Sequence, residues 1–341
     1  MASALLRALL TPWWAAQLVT GAKSFLDNPL IGSDRLNRAG LHQWRVAQAC
    51  RMAHARRERL AHHISEQDRA DFNRDGFVCW ENFLPVDTFT RLRDEILSYA
   101  GPAREMVQGD TITRRYAIDP PAIRSIPSVR ALTGDPRWRG MTRYAASFDI
   151  EPLLYIQAIL SHRHDAPPDP QVDLHADTFH PTMKAWLFLE DVDSSEGPLT
   201  YVRGSHRLTA ERLAWERSRS LDVLTRGDRL SARGSFRIDH GELASLNLPP
   251  PTAFAVPANT LIIADTFGFH ARGPSLRPST RIELWAYSRR NPFLPFIGLD
   301  PWSLPGIAEW RVPLHWLTHD IYRPLIGQPW AKAGRKRPGA D

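Results

Sequence analysis

Between residues 152 and 288 the chain breaks into short apolar or alternating runs separated by glycine and proline, and this pattern limits the fold more than any other feature. Residues 153–160, 182–190, 199–202, 254–256, 261–265 and 281–288 each have strand length and are rich in Val, Ile, Leu and aromatic side chains. Asp193-Ser194-Ser195-Glu196-Gly197-Pro198 reads as a turn between two of them. Several short strands closed by such turns fold as a sandwich or barrel. A jelly roll closes its edges and leaves an open mouth where a site can form. No internal repeat or low-complexity tract interrupts the pattern.

Ahead of the strands the periodicity is helical. Residues 2–22 place Leu5, Leu6, Leu9, Leu10, Trp13 and Trp14 at helical spacing, with a kink expected at Pro12. The leucines are expected to pack on the body, while the tryptophan pair equally suits a membrane interface. Residues 40–63 read as a helix carrying Arg45, Arg51, Arg56, Arg57 and Arg59, a charge run of the kind that forms a solvated face. Ser65 caps a short helix that ends at Asp75-Gly76, and Phe89, Leu92, Ile96 and Leu97 give residues 86–99 one apolar face. Residues 110–150 show no clean period, and the charged stretch 208–233 reads as a surface insertion. Past the strands, residues 291–330 interleave seven prolines with Phe293, Phe296, Trp302, Trp310, Trp316 and Trp330. Prolines at that density predict an extended aromatic strap without long helices, packed on the body or drawn over the mouth. The chain thus divides into an arm (1–64), a body (65–300) and a strap with a basic tail (301–341).

Charge is uneven. The net +6 sits in the arm, where nine Lys/Arg face three Asp/Glu, and the remainder balances. A second cluster, Lys332, Arg335, Lys336 and Arg337, marks the tail. Such clusters attract polyanions, but a neutral body argues against a nucleic-acid enzyme. The most apolar stretch, 5–19, is broken by Arg7 and Pro12 and falls short of the ~20 residues of a membrane span. Two cysteines, Cys50 and Cys79, build no disulfide framework and suit a reducing compartment. Cytoplasmic residence is expected, with peripheral membrane contact through the basic, Trp-bearing arm.

The chemistry concentrates at His175-Ala176-Asp177. In extended chain, residues i and i+2 point to one face, so imidazole and carboxylate can reach one metal. His270 supplies a second imidazole far downstream, and Arg281 follows eleven residues later. Two histidines and one carboxylate form a facial triad, which suits Fe(II) and leaves positions open. The arginine could hold the distal carboxylate of a dicarboxylic acid by two parallel hydrogen bonds. Taken singly, each residue is a commonplace surface or core side chain; the ordered set is what carries information. Asp75-Gly76-Phe77-Val78, Asn82-Phe83-Leu84-Pro85, His175-Ala176-Asp177, Gly197-Pro198-Leu199, Gly204-Ser205-His206, then His270 and Arg281 together resemble the phytanoyl-CoA dioxygenase family of Fe(II)/2-oxoglutarate oxygenases. The resemblance spans roughly residues 68–290.

It implies a mainly β fold with flanking helices around a double-stranded β-helix core of jelly-roll, cupin-like type. It implies iron on His175, Asp177 and His270, and 2-oxoglutarate held by Arg281, with O2 as the second co-substrate. Gln157, on the strand eighteen residues before His175, and Thr200 are expected to approach 2-oxoglutarate. His180, Asp265, Phe267 and Arg272 are expected near the mouth, with Trp186 and Phe188 packing the core. Two departures stand out: Ala176 sits where several members carry a polar residue, and Arg203 replaces the proline before Gly204-Ser205-His206. Asp177 argues against the related halogenases, which carry a small residue there. The expected activity is hydroxylation of a C–H bond in an acyl or lipid-like substrate, with succinate and CO2 released. The alternatives are a small soluble metabolite as substrate, or a jelly roll that binds without catalysis. The oligomeric state is not legible.

Overall fold

The structure, a computed structural model, describes residues 4–304, 306–323 and 328–340. The side chains of Leu5 and Leu6, and Pro305 and Pro324 of the expected strap, lie outside the described residues. The strands are β1 (Phe77–Trp80), β2 (Gly101–Gln108), β3 (Thr111–Ala117), β4 (Leu153–Ser161), β5 (Met183–Phe188), β6 (Leu199–Tyr201), β7 (Thr252–Ala253), β8 (Leu261–Asp265), β9 (His270–Arg272), β10 (Ser279–Ser288) and β11 (Ala331–Lys336). Helices α1 (Ala4–Gln17), α2 (Asp34–Arg38), α3 (Leu41–Leu60), α4 (Glu66–Asp75) and α5 (Val86–Ser98) precede the main strands. Next come α6 (Pro120–Ser125), α7 (Val129–Gly134), α8 (Pro136–Ala146), α9 (Ala210–Asp222), α10 (Arg229–Ala232), α11 (His240–Ser245) and α12 (Arg311–Ile321).

Eight strands form a large sheet in the order β1-β8-β5-β10-β4-β3-β2-β11, and β7-β6-β9 form a small one facing it. Every pairing is antiparallel. The two-residue period of a strand decides what each face does. On β10, Ile282, Leu284 and Ala286 join an outer core with Phe72 of α4, Phe89, Leu92 and Ile96 of α5, and Trp138, Met141 and Tyr144 of α8. Burying each such large apolar side chain contributes roughly 1.5–3 kcal/mol, which is what holds the helical layer on. The alternate residues face inward, and there Trp285 meets Phe77, Tyr155, Trp186, Phe188, Leu199 and Tyr201 in a core between the sheets. This is the double-stranded β-helix that the strand pattern and the resemblance imply.

Local signals explain the entry into the barrel. Ser65 accepts a hydrogen bond from Asp68 N, capping α4 as expected. Gly76 closes α4 at φ +88°, and a Cβ there would lie 2.5 Å from the Tyr201 hydroxyl and from His206 Nδ1. Glycine is therefore required at the Asp75-Gly76 corner for both backbone and space.

Other expectations are corrected. The arginines of α3 form a solvated face only in part, through the exposed Arg51 and Arg59. Arg45, Arg56 and Arg57 are buried, and each donates to backbone carbonyls of other segments. Arg57 also pairs with Asp265 at 2.8 Å. The buried face of α3 pins the arm to the body, and three of the five arginines of the expected polybasic patch are consumed there. Among the described residues no helix is long and apolar enough to cross a membrane. Leu9 and Trp13 of α1 are exposed, so that leucine does not pack on the body. The 208–233 stretch is no mere surface insertion: α9 packs on α3 and buries Arg212, Trp215, Glu216 and Arg219. The basic tail is strand β11 on the edge of the large sheet. An eleven-residue helix, α12, occurs within the strap because Pro313 falls in its first turn, where its missing N–H costs nothing.

Candidate active site

The site forms where the two sheets face each other. His175 and His270 are paired backbone to backbone, each donating N–H to the other's carbonyl at 3.0 Å. Asp177 N–H donates to Thr266 O at 3.0 Å, so the HxD segment is stitched along the stretch that leads to His270. Candidate ligand atoms of His175, Asp177 and His270 all lie within 4.8 Å of one another. Ala176 points the other way, into an apolar cluster with Phe25, Leu174, Phe236 and Phe269. A polar side chain would be buried there without a partner, which accounts for this departure from the family pattern.

Tautomers are fixed from behind. His175 Nδ1 lies 2.7 Å from Asp173 O, and His270 Nδ1 lies 3.0 Å from Gly268 O. A carbonyl only accepts, so each Nδ1 carries the proton and each Nε2 presents a lone pair, the arrangement metal-ligating histidines need. Burial and the neighbouring His270 hold His175 well below the usual imidazole range, hence neutral. Burial alone would raise Asp177; the Lys184 ammonium, with His270 and His175, overcomes it and keeps the carboxyl well below the usual carboxylate range. Lys184 Nζ stands 2.6 and 2.9 Å from the Asp177 oxygens and 3.4 Å from His270 Nε2. A side-chain cation thus rests against the same acceptors that a divalent ion would use. The donor set, its geometry and this ammonium fit a metal.

A cavity of about 400 Å³ opens over these residues, within the range of small-molecule sites. Arg281 lines it, buried on β10. Its Nε donates to Glu283 at 3.0 Å and its Nη1 to Gly197 O, leaving Nη2 and the second Nη1 hydrogen for a carboxylate. Gln157 also lines the cavity, but both ends of its amide are taken. Its oxygen accepts from Arg115 Nε at 2.7 Å and its nitrogen donates to Glu283 at 2.6 Å. Gln157 therefore steadies the acid beside Arg281. Thr200 does not line the cavity: Leu199 does, and alternation along β6 turns Thr200 to the opposite face. Asp265, Phe267 and His180 are buried structural residues rather than mouth residues, whereas Arg272 lines the cavity and pairs with Asp169. Trp186 both packs the inner core and faces the cavity; Phe188 only packs. Trp330 of the strap reaches the cavity with Arg115 stacked on its ring at 4.4 Å, so the strap does contribute a wall. Trp316 packs against Tyr155 instead.

Among the site features that escape sequence reasoning are Lys184, Glu283 and Lys23 of the arm. The first two alternate inward on recognised strands and were legible in principle. Nothing in the sequence brings Lys23 here.

Residues 72–225 match the family profile described as Phytanoyl-CoA dioxygenase (PhyH). That segment is a phytanoyl-CoA dioxygenase domain. It contains His175 and Asp177, while His270 and Arg281 lie beyond it and reach the site through the fold. The chain is an Fe(II)- and 2-oxoglutarate-dependent dioxygenase. No curated protein matches it in sequence. Similar solved structures include the epimerase SnoN in complex with Fe3+, alpha ketoglutarate and nogalamycin RO, at 18% identity, covering 65% of this chain and 82% of that one, TM-score 0.43. HygX from Streptomyces hygroscopicus with nickel, 2-oxoglutarate and hygromycin B bound is 15% identical, with coverages of 66% and 86% and TM-score 0.42. AviO1 from Streptomyces viridochromogenes is 17% identical, with coverages of 70% and 96% and TM-score 0.38.

His206, from the Gly-Ser-His turn of the dioxygenase domain, is not at the metal position. It is buried against Gly76 and Phe72, and among the described residues its Nδ1 has no hydrogen-bond partner. Burial and the cations Arg57, Arg207 and Arg212 push it down to about 3, from an ordinary 6.5. The folded protein then binds fewer protons than the unfolded chain between these values, so this contribution is fully present above pH 6.5 and is lost as pH falls toward 3. Denaturant titrations at pH 7 and 4.5 should show roughly 2–3 kcal/mol less acid sensitivity in His206→Gln than in wild type. Equal slopes would refute the assignment.

Proposed function

We propose that this dioxygenase hydroxylates a C–H bond of a small polar molecule, with iron on His175, Asp177 and His270 and 2-oxoglutarate anchored by Arg281. The observation that carries the reading is the convergence of two back-locked imidazoles and an ionised carboxylate beside a buried arginine with free N–H groups. Bound iron and 2-oxoglutarate supply the oxidation, in which O2 gives one oxygen atom to the product and one to succinate while CO2 leaves. The protein's own work is positional. Asp173 O and Gly268 O hold the two imidazoles in one tautomer. Glu283 and Gly197 O fix the guanidinium plane, so its free edge faces the cavity already oriented. Trp186, Trp285 and Trp330 give the cavity aromatic walls that exclude water.

The acyl or lipid-like substrate fares less well. The cavity combines its aromatic and aliphatic walls with seven cationic side chains, and an alkyl chain would desolvate those cations without replacing their hydrogen bonds. The geometry favours the soluble, polar alternative.

Succinate formation with iron and 2-oxoglutarate, stimulated by one member of a polar metabolite set, is the expected result. Stimulation by fatty acyl compounds alone would overturn the substrate reading. For the anchor, Arg281→Gln alone would strand a buried Glu283. The double variant Arg281→Gln/Glu283→Gln removes both charges together. It should weaken 2-oxoglutarate binding about tenfold to a hundredfold, from the ~1.5–3 kcal/mol of a charged hydrogen bond. Unchanged calorimetric affinity would remove Arg281 from this role.

A further inference from the structure

The cavity holds more positive charge than iron chemistry and 2-oxoglutarate account for. Three of its cations have carboxylate partners: Lys184 on Asp177, Arg272 on Asp169 and Arg281 on Glu283. Four do not. Arg115 donates to the Gln157 amide and lies between aromatic rings. Arg237 donates to Ser235 and to Pro170 O, all neutral acceptors. Lys23 donates to the backbone carbonyl of Asp177. Arg289 is exposed at the rim and, among the described residues, has no ion-pair or hydrogen-bond partner. A divalent iron and a 2-oxoglutarate dianion cancel each other and add no counter-charge, and the carboxylates that face these cations (Asp228, Asp173, Asp177 and Asp169 around Arg237, Asp177 near Lys23, Glu283 near Arg115) make no direct side-chain pair with them.

Their distribution has direction. Arg281 and Arg289 are both on or just past β10, eight residues apart, so their Cα atoms are about 26 Å from each other along an extended strand. β5 pairs Lys184 with Tyr287 and Met183 with Ser288, which puts the metal ligands and Lys184 toward the Arg289 end. Lys23 feels Arg289, Arg237 and Asp177, and Arg237 also feels Asp177, while Arg281 acts instead on Arg272 and pairs with Glu283. The co-substrate pole and this second cationic pole lie on different sides of the metal position.

Lys23 is held there by construction. It comes from the arm, outside the dioxygenase domain. Arg45 of α3, buried with its guanidinium 4.2 Å above the Phe179 ring, donates to the carbonyls of Leu18, Thr20 and Ala22 just before it. Just after it, Phe25 N donates to Ala232 O at 2.9 Å. Gly234 admits the strand: a Cβ on it would sit 2.3 Å from Lys23 O. An ordered, half-buried lysine crowded by like charges is unfavourable unless something negative joins it.

We propose that Lys23, Arg237 and Arg289 form an oxyanion site beside the metal position, and that the substrate carries a carboxylate, sulfate or phosphate group bound there while its reacting carbon faces the iron. The proposal rests on the oxygenase reading for what lies beside it. It makes the arm part of the active site.

The test is calorimetry on anaerobic, Fe(II)-loaded full-length protein. 2-Oxoglutarate is titrated first. Sulfate, and separately acetate, are then titrated at saturating 2-oxoglutarate against sodium chloride of equal ionic strength. Wild type should bind sulfate or acetate saturably; tighter sulfate assigns a dianionic group, tighter acetate a carboxylate. Lys23→Met, and Arg289→Gln, which alters only the rim, should each weaken that binding tenfold or more while 2-oxoglutarate affinity stays within twofold. No saturable anion binding in wild type, or unaltered anion binding in both variants, overturns the site. Failure of wild type to bind 2-oxoglutarate overturns the oxygenase reading instead, and the anion titrations, run without it, still decide between the variants.

Discussion

Asp177→Ala should yield a folded protein that neither retains iron nor forms succinate. The carboxylate is the only anion among the candidate ligand atoms, and the two imidazoles left behind offer lone pairs without negative charge. Lys184, deprived of its partner, would remain 3.4 Å from His270 Nε2 and would repel an incoming cation. Disturbing only the residues behind a metal ligand commonly costs 10–100-fold, so loss of a ligand together with an unpaired ammonium should cost on the order of a hundredfold or more in iron affinity. Folding should survive, because the Asp177 side chain is partly exposed. Iron per chain after desalting, alongside circular dichroism, checks both halves. An iron content equal to wild type would exclude Asp177 as a ligand. The further double variant Asp177→Ala/Lys184→Met should recover part of the lost affinity, since it removes the repulsion but not the missing ligand.

The strands and the ligands were legible because they depend on local periodicity and on fixed residue types. Alternation alone places Met183, Ala185 and Leu187 outward and Lys184, Trp186 and Phe188 inward. His175 and Asp177 share a face for the same reason. Residues 110–150 resisted because buried arginines disguise their strand: Arg114 is almost wholly buried, paired with Glu105, and Arg115 is sandwiched by tryptophans. The same ambiguity misled the reading of α3. Arginine in sequence looks like solvent exposure, whereas Arg45, Arg56 and Arg57 find backbone carbonyls 23 to 238 residues away. No window of sequence contains those acceptors. Lys23 entered the site by the same route, since its place depends on a clamp from α3 and a glycine in the insertion.

Arg57→Met should be the most damaging single change outside the metal ligands. Arg57 meets Asp265, whose side chain is fully buried, at 2.8 Å, and also donates to Tyr144 O and Ala145 O. Removing one partner of a buried pair leaves an uncompensated charge, which costs about 3–5 kcal/mol, far more than the pair's net worth when both are present. Asp265 is a hub as well as a counter-ion: its carboxylate accepts from Thr182 N and Phe267 N, and its carbonyl accepts from the Tyr201 hydroxyl. The next residue, Thr266, receives the Asp177 N–H, and the segment then runs directly to His270. Damage at Arg57 should therefore appear twice, as a lower denaturant midpoint and as weaker iron retention in the fraction that folds. Arg57→Met/Asp265→Asn should be closer to wild type than the single variant, because the amide keeps an acceptor for Thr182 N and Phe267 N and carries no charge to strand. The coupling in this double-mutant cycle separates the electrostatic cost from lost packing, and a coupling near zero would mean that Arg57 acts only through its apolar stem. Arg51, exposed on the same helix, is the control: its replacement by methionine should change neither quantity.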